Sequence, residues 1–498
     1  MFESAELGHR IDKKTYDERV PVLRENLLEA QFALGRRRDF PVLILISGVD
    51  GAGKGETVNL LNAWMDPRHI VTEGFGPPSQ EELERPAQWR FWRLLPPQGK
   101  IGIFFGSWYT RPIVSRVEGN ASTADLDRSI QEIIRFERML TNEGVLLLKF
   151  WFHLSKERQR KRLKGLEKDP ATRWRVTDTD WARFKKYDKF RKWSEHTLRH
   201  TSTGNAPWYV VEGTDHNFRS LTVGQTLLET MRHRMENGEG DAQQVRFTTA
   251  PLVPPIDNLR ILRTLPTDAA LSRKQYDEEL LRYQGQLNLL TRDPRFRDHS
   301  VILVFEGTDA AGKGSSIRRI TAALDARRYR IVPVAAPTEE ERAQPYLWRF
   351  WRHVPGRGGF TIFDRSWYGR VLVERVEELC PPASWMRAYS EINDFEEQLV
   401  RNGTVLIKFW LAITKEEQLQ RFRARETTPF KQHKITDEDW RNREKWDDYE
   451  IAVCDMVDRT STEFAPWHLV PANDKRFARV DILQTVCDRI EAALNKKH

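Results

Sequence analysis

Apolar positions fall into short continuous runs separated by longer amphipathic stretches. The clearest runs are residues 42–47 and 301–306, each directly ahead of a glycine-rich loop. Others pair as 101–105 with 360–363, 145–150 with 405–410 and 208–211 with 467–470, and weaker β-rich runs lie at 70–73 and 331–334. A run that is apolar at consecutive positions, rather than alternate ones, suits a strand buried on both faces of a parallel sheet. Helices between such strands cover the two faces. The pattern predicts an α/β fold of two tandem P-loop kinase-like domains, each a parallel sheet of about five strands covered by helices.

The pairing of runs reflects an internal repeat. GVDGAGKG at 48–55 and GTDAAGKG at 307–314 stand 259 residues apart. The same offset carries WRFWR at 89–93 onto 348–352, SWY at 107–109 onto 366–368, and LKFW at 148–151 onto IKFW at 407–410. It also carries TST at 201–203 onto 460–462 and APW at 206–208 onto 465–467. Chance does not keep six blocks in register without a gap, so the chain is a duplication. Residues 236–256 are Gly-, Pro- and polar-rich with no helical period, which predicts a linker between an N-terminal domain over 1–235 and a C-terminal one over 257–498. A charged, periodic helix containing YDE, at 16–18 and 276–278, precedes each copy.

The length of 498 residues fits two domains of ordinary size. A formal net charge of +8 directs attention to anionic ligands. Three cysteines, Cys380, Cys454 and Cys487, at no metal-like spacing read as reduced, buried thiols. No stretch approaches the ~20 apolar residues needed to cross a bilayer, and the first residues lack a signal-like apolar core, so a soluble, cytoplasmic protein without a membrane partner is expected.

In both halves GxxxxGK follows a predicted strand and opens a predicted helix. That context defines a phosphate loop, in which backbone N–H groups and the helix N-terminus hold phosphate oxygens while a lysine neutralises charge. The candidates are Gly307, Gly312, Lys313 and Gly314 in the second copy, and Gly48, Gly53 and Lys54 in the first. The position after the lysine is glycine, where a hydroxyl usually reaches Mg²⁺, but Ser315 and Ser316 follow. The loop also carries Asp50 or Asp309. A carboxylate in a phosphate cradle repels substrate unless a cation lies between them, so Asp309 reads as a metal ligand, with a turn-stabilising role as the alternative.

The run 360–363 ends in DRSWYGR, placing Asp364 and Arg365 at a strand C-terminus, the ligand-binding edge of a parallel sheet. Asp364 suits Mg²⁺, and Arg365 suits the charge of a transferring phosphoryl group. Their counterparts are Phe105 and Gly106, so the first copy is expected to be catalytically weak or dead. After the fourth strand of each copy comes a basic segment. Arg421, Arg423, Arg425, Lys431 and Lys434 share the second with one acid, Glu426. It reads as a mobile lid, with a solvated charged helix as the alternative. Arg425 corresponds to Leu166. Arg349 and Arg352, at i, i+3 spacing in WRFWR, are further phosphate candidates, while Trp348 and Trp351 are expected to pack inward.

GTDAAGKG, DRSWYGR, the basic segment with PFKQHKIT, and TSTEFAPWHLV together resemble the polyphosphate kinase 2 family over nearly the whole of each half. The tandem arrangement resembles its two-domain members. The resemblance implies Mg²⁺ as cofactor, inorganic polyphosphate as donor and a nucleoside monophosphate, AMP giving ADP, as acceptor. It also implies that Asp309, Lys313, Asp364, Arg365 and Arg425 are the catalytic positions. The residues alone support Mg²⁺-dependent phosphoryl transfer and leave three alternatives open: an ATP-dependent kinase, a nucleic-acid-binding P-loop protein, and a first copy that only holds a polyanion. No recognised nucleic-acid module is present. A homo-oligomer is left open.

Overall fold

The computed structural model describes residues 1–238, 260–429, 435 and 437–496. Among these residues the chain forms two compact units. One comprises 1–78, 87–238 and 337–349, and the other the remaining described residues.

The first unit holds β1 (Val42–Gly48), β2 (Ile70–Gly74), β3 (Ile101–Phe105), β4 (Leu146–His153) and β5 (Trp208–Glu212). All pair in parallel, in the order β2-β3-β1-β4-β5. The second unit repeats this with β6 (Ser300–Gly307), β7 (Tyr329–Pro333), β8 (Phe360–Asp364), β9 (Thr404–Ala412) and β10 (Trp467–Pro471), ordered β10-β9-β6-β8-β7. Register is conserved along with topology, since Val42 lies opposite Ile101 and Val301 opposite Phe360. The five-stranded parallel α/β sheet expected from the apolar runs is present in both units.

The sequence explains these elements locally. Val42–Ile46 and Val301–Phe305 are buried throughout, as the central strand of a sheet covered on both faces requires. In the first unit the helix Lys13–Arg37 packs with His216–Asn237 on one face, its Leu27 and Leu34 joining Ile44 and Leu227 in the core. In the second, Arg273–Arg292 and Lys475–Asn495 do the same through Leu287, Leu303 and Ile490. Asp12, Asp215, Ser272 and Asp474 cap these helices by accepting a backbone N–H in the first turn. Trp348 and Trp351 are buried, as expected.

Two expectations need correction. The helix His216–Asn237 carries Glu236 and Asn237, so the linker does not begin at 236; the helix continues because its last turn still bonds, with the Gly238 N–H donating to Arg234 O. Most of the remaining linker, together with Lys431 and Lys434, lies outside the described residues. Of the cysteines only Cys487 is buried, beneath Tyr283 on the helix pair, while Cys380 and Cys454 are partly exposed. No helix among the described residues is long and apolar enough to cross a membrane.

Candidate functional site

Each phosphate loop leaves the C-terminal end of the central strand and enters a helix, Lys54–Trp64 or Lys313–Thr321. In the second unit Gly307 has φ +148°, and a Cβ there would stand 2.6 Å from Leu411 O on β9. Gly312 has φ +116° as the residue that opens the helix. Both positions require glycine. Lys313 folds back over the loop, donating from Nζ to Gly307 O at 2.7 Å, and burial pushes its pKa down against the pull of Asp309.

Asp309 and Arg365 meet across the loop. Arg365 Nη2 donates to Asp309 Oδ1 at 3.1 Å, and Asn442 Nδ2 donates to Oδ2 at 2.8 Å. β8 ends at Asp364, opposite Phe305 of the central strand, so the next residue emerges beside the loop. That residue, Arg365, has φ +62°, a left-handed conformation that costs a non-glycine residue about 1 kcal/mol. Its counterpart Gly106 has φ +82° and adopts it freely. Asp364 Oδ2 lies 3.9 Å from where a Cβ on Gly314 would stand. The carboxylate therefore approaches the position at which other phosphate loops carry their hydroxyl.

The segment after Asp364 is held from below. Glu396 accepts from Trp367 Nε1 at 3.0 Å, Tyr368 OH at 2.7 Å and Lys408 Nζ at 2.8 Å, and Lys408 also donates to Thr460 O at 2.7 Å. Glu137, Trp108, Tyr109, Lys149 and Thr201 repeat this buried network in the first unit. Burial lowers the pKa of Lys408, and the Glu396 carboxylate opposes that shift. Because both copies keep it, the network belongs to the scaffold rather than to what distinguishes them.

Two cavities flank the Asp309–Arg365 pair. One, of about 510 Å³, lies over the loop and is lined by Lys313, Ser315, Asp364, Arg425, Lys475 and Arg479 among others. The other, of about 450 Å³, is more apolar and includes Leu262, Pro266, Leu372, Trp410 and Tyr449. Among the described residues, Asp309 and Arg365 alone line both.

The structure thus brings Asp309, Lys313, Asp364, Arg365 and Arg425 together around one cavity. It treats the other phosphate candidates differently. Arg421 is 5% exposed, and its donors reach Glu417, Ala310 O, Ala311 O, Ala472 O and Asn473 O at 2.6–3.0 Å. It lines the cavity, but with all five donors engaged it serves to buttress the loop. Ser316 is buried and bonds Gly312 O at 3.4 Å, whereas Ser315 lines the cavity and accepts from Arg479 at 3.4 Å. Arg423 is exposed on its helix, and Arg349 pairs with Glu341 at 3.3 Å. Arg349, Arg352 and Arg423 line neither cavity.

Residue-by-residue reading missed Glu306, Asn442, Lys475 and Arg479. Glu306 is buried beneath the loop, accepts from Ser366 Oγ at 2.8 Å, and has its pKa raised by burial. All four differ between the copies, facing Ser47, Arg183, His216 and Ser220, so the gap-free offset carried the signal.

The first copy's loop is arranged differently. Lys54 Nζ donates to Gly48 O at 2.6 Å and lies 3.4 Å from Asp50 Oδ1. Glu56 stands where the second copy has Ser315, in the first turn of the loop helix. Its carboxylate lies 2.7 Å from Arg219, 3.1 Å from Arg162 and 3.8 Å from Arg175. Arg219, 3% exposed, also donates to Gly213 O at 3.2 Å and packs so tightly that a Cβ on Gly53 would collide with it at 2.1 Å. Arg162, the counterpart of Arg421, has thus left the buttress to Arg219 and turned to Glu56.

A phosphate loop on a parallel sheet, with a carboxylate and an arginine at the neighbouring strand end, defines a P-loop phosphotransferase scaffold. The model of the polyphosphate kinase 2 family matches residues 10–239 and 270–498, so the chain belongs to that family in tandem form. It is 60% identical, over the full length of both chains, to a polyphosphate:AMP phosphotransferase of Pseudomonas aeruginosa. A protein of the same description from Acinetobacter johnsonii is 39% identical over 94% of this chain and 95% of its own. A solved polyphosphate kinase 2 structure from Pseudomonas aeruginosa superposes with a TM-score of 0.90 at 57% identity, covering both chains completely.

Proposed function

We propose that the chain transfers a phosphoryl group from inorganic polyphosphate to AMP, and that the C-terminal copy performs the reaction. The observation that carries this reading is the pair of cavities that share Asp309 and Arg365. The cationic cavity over the loop takes the end of the polyphosphate chain. The apolar one takes the nucleoside, so that donor and acceptor phosphates meet at the shared pair. An AMP phosphate oxygen attacks the terminal phosphorus; its new P–O bond replaces the P–O–P bond, and the chain departs one unit shorter as ADP forms.

Little covalent work falls to the protein. Loop amides and Lys313 hold the donor, Arg365 and Arg425 balance charge on the transferring group, and Asp309 orients the acceptor. The helix Lys415–Glu426 carries Arg425 at the cavity edge, placed to close over bound phosphates and exclude water.

Asp309 and Asp364 fit Mg²⁺. Two carboxylates beside a phosphate site suffice, because Mg²⁺ usually completes its octahedron with substrate phosphates and water. Gly314 leaves room for Asp364 where a loop hydroxyl would otherwise reach the ion. When bound, the ion would neutralise charge on the donor phosphates. We place the reaction in the cytoplasm.

The test supplies the purified chain with AMP and either polyphosphate or ATP, with and without a chelator, and follows ADP. ADP formation from polyphosphate that stops on chelation is expected. Turnover with ATP alone would assign an ordinary nucleotide kinase instead.

A further inference from the structure

The first copy retains a cavity of about 320 Å³ beside its phosphate loop, within the size range of small-molecule sites. It occupies the place of the second copy's apolar cavity: Trp151, Tyr187 and Phe190 line it where Trp410, Trp446 and Tyr449 line the other. Its chemistry differs. Glu306, Asp364 and Arg365 give way to Ser47, Phe105 and Gly106, which removes the charged groups of phosphoryl transfer and leaves an apolar wall.

Three observations indicate an occupant. Phe105 is 38% and Val114 42% exposed and both line the cavity, so an occupant there would cover apolar surface on each. Two buried polar atoms on its lining residues, Ser47 Oγ and Trp151 Nε1, have no partner among the described residues. Trp410 Nε1, on a lining residue of the second copy's cavity, is likewise buried without a partner among the described residues. Lys54, Arg183 and Lys186 give the cavity a cationic rim, partly balanced by Asp50 and Glu118.

We propose that the first copy holds a nucleoside monophosphate in this cavity without turning it over. This rests on the reading of the second copy's apolar cavity as the nucleoside site. The base lies against Phe105 and the aromatic wall and offers ring nitrogens to the buried donors, while its phosphate meets the cationic rim. A polyphosphate chain is the wrong ligand for this copy, because Glu56 already engages Arg162, Arg175 and Arg219 on the loop's other side. Without the counterparts of Asp364 and Arg365, the bound nucleotide is a resident rather than a substrate.

The experiment is equilibrium dialysis of AMP against the full-length chain, with polyphosphate-to-AMP turnover measured in parallel. The wild type is expected to bind two equivalents per chain. Val114→Trp, which fills the cavity, is expected to bind one and retain turnover, which also shows that it has folded. Lys54→Gln, which keeps the cavity open, is expected to weaken the same equivalent about tenfold for AMP and leave adenosine binding unchanged. A single equivalent in the wild type, unaltered by Val114→Trp, overturns the proposal while leaving the activity of the second copy intact. Absence of both turnover and AMP binding overturns the functional reading beneath it as well.

Discussion

The two copies share a sheet order, a register and a buried Lys–Glu–Tyr network, yet they solve the electrostatics of the phosphate loop in opposite ways. In the C-terminal copy Arg421 is buried against the loop, Ser315 faces the cavity, and Asp364 and Arg365 stand ready at the strand end. In the N-terminal copy Arg219 has taken the buttress, and Glu56 places a carboxylate at the positive end of the loop helix, where phosphate would otherwise bind. The copies therefore differ by more than Asp364 and Arg365. The first cradle is neutralised from within by Glu56, so the fold persists while the charges around its loop change.

The largest expected effect comes from moving the N-terminal residue into the C-terminal copy. Asp364→Phe should lower polyphosphate-to-AMP turnover by at least about 10³-fold. Substantial residual rate would break the division into one active and one inactive copy. Arg365→Gly should cause a loss of similar order and yet raise thermal stability by about 1 kcal/mol, because glycine relieves the left-handed backbone. Denaturant titration alongside turnover checks both halves of that expectation.

Next in size is the contrast between equivalent arginines. Arg421→Leu leaves four loop carbonyls and a glutamate without donors and should cost about 3 kcal/mol of unfolding free energy. Arg162→Leu, at a side chain 45% exposed, should cost well under 1 kcal/mol. Equal costs would refute the exchange of buttress.

Glu56→Ser tests the neutralised cradle directly. Freed from the carboxylate, the arginines should bind polyphosphate about tenfold more tightly at the N-terminal loop, with no gain in turnover. Binding measured in an Asp364→Phe background, unchanged by the substitution, would remove Glu56 from this role.

The smallest effect concerns Glu306. Burial raises its pKa, so the folded state retains a proton that the unfolded state gives up, and stability falls as pH rises from the ordinary glutamate range towards the raised value. Glu306→Gln, which can still accept from Ser366, should therefore have the higher Tm at pH 8, the advantage shrinking as pH approaches 4. A pH-independent difference would show that this carboxyl titrates alike in the folded and unfolded chain, which would remove the upward shift.

Much of this was legible in the sequence for a specific reason. Strand burial on both faces requires consecutive apolar residues, and a duplication without gaps allows each position to be compared with its twin. The class of fold, the two loops, and the divergence at Phe105, Gly106 and Leu166 all follow from those two properties. A run of basic residues, by contrast, does not say where each guanidinium points. Arg421 and Arg425 lie on one helix four residues apart and line the same cavity, but the donors of Arg421 are consumed by carbonyls and Glu417. Arg349, a phosphate candidate by its spacing, pairs with Glu341. Side chains from distant segments decide such outcomes, as Asn442 does for Asp309 and Arg219 for Glu56. The chain by itself determined which charged groups each copy carries. Only tertiary packing decided which charges face the ligand, because a buried charge turns to whichever partner lies within hydrogen-bonding distance.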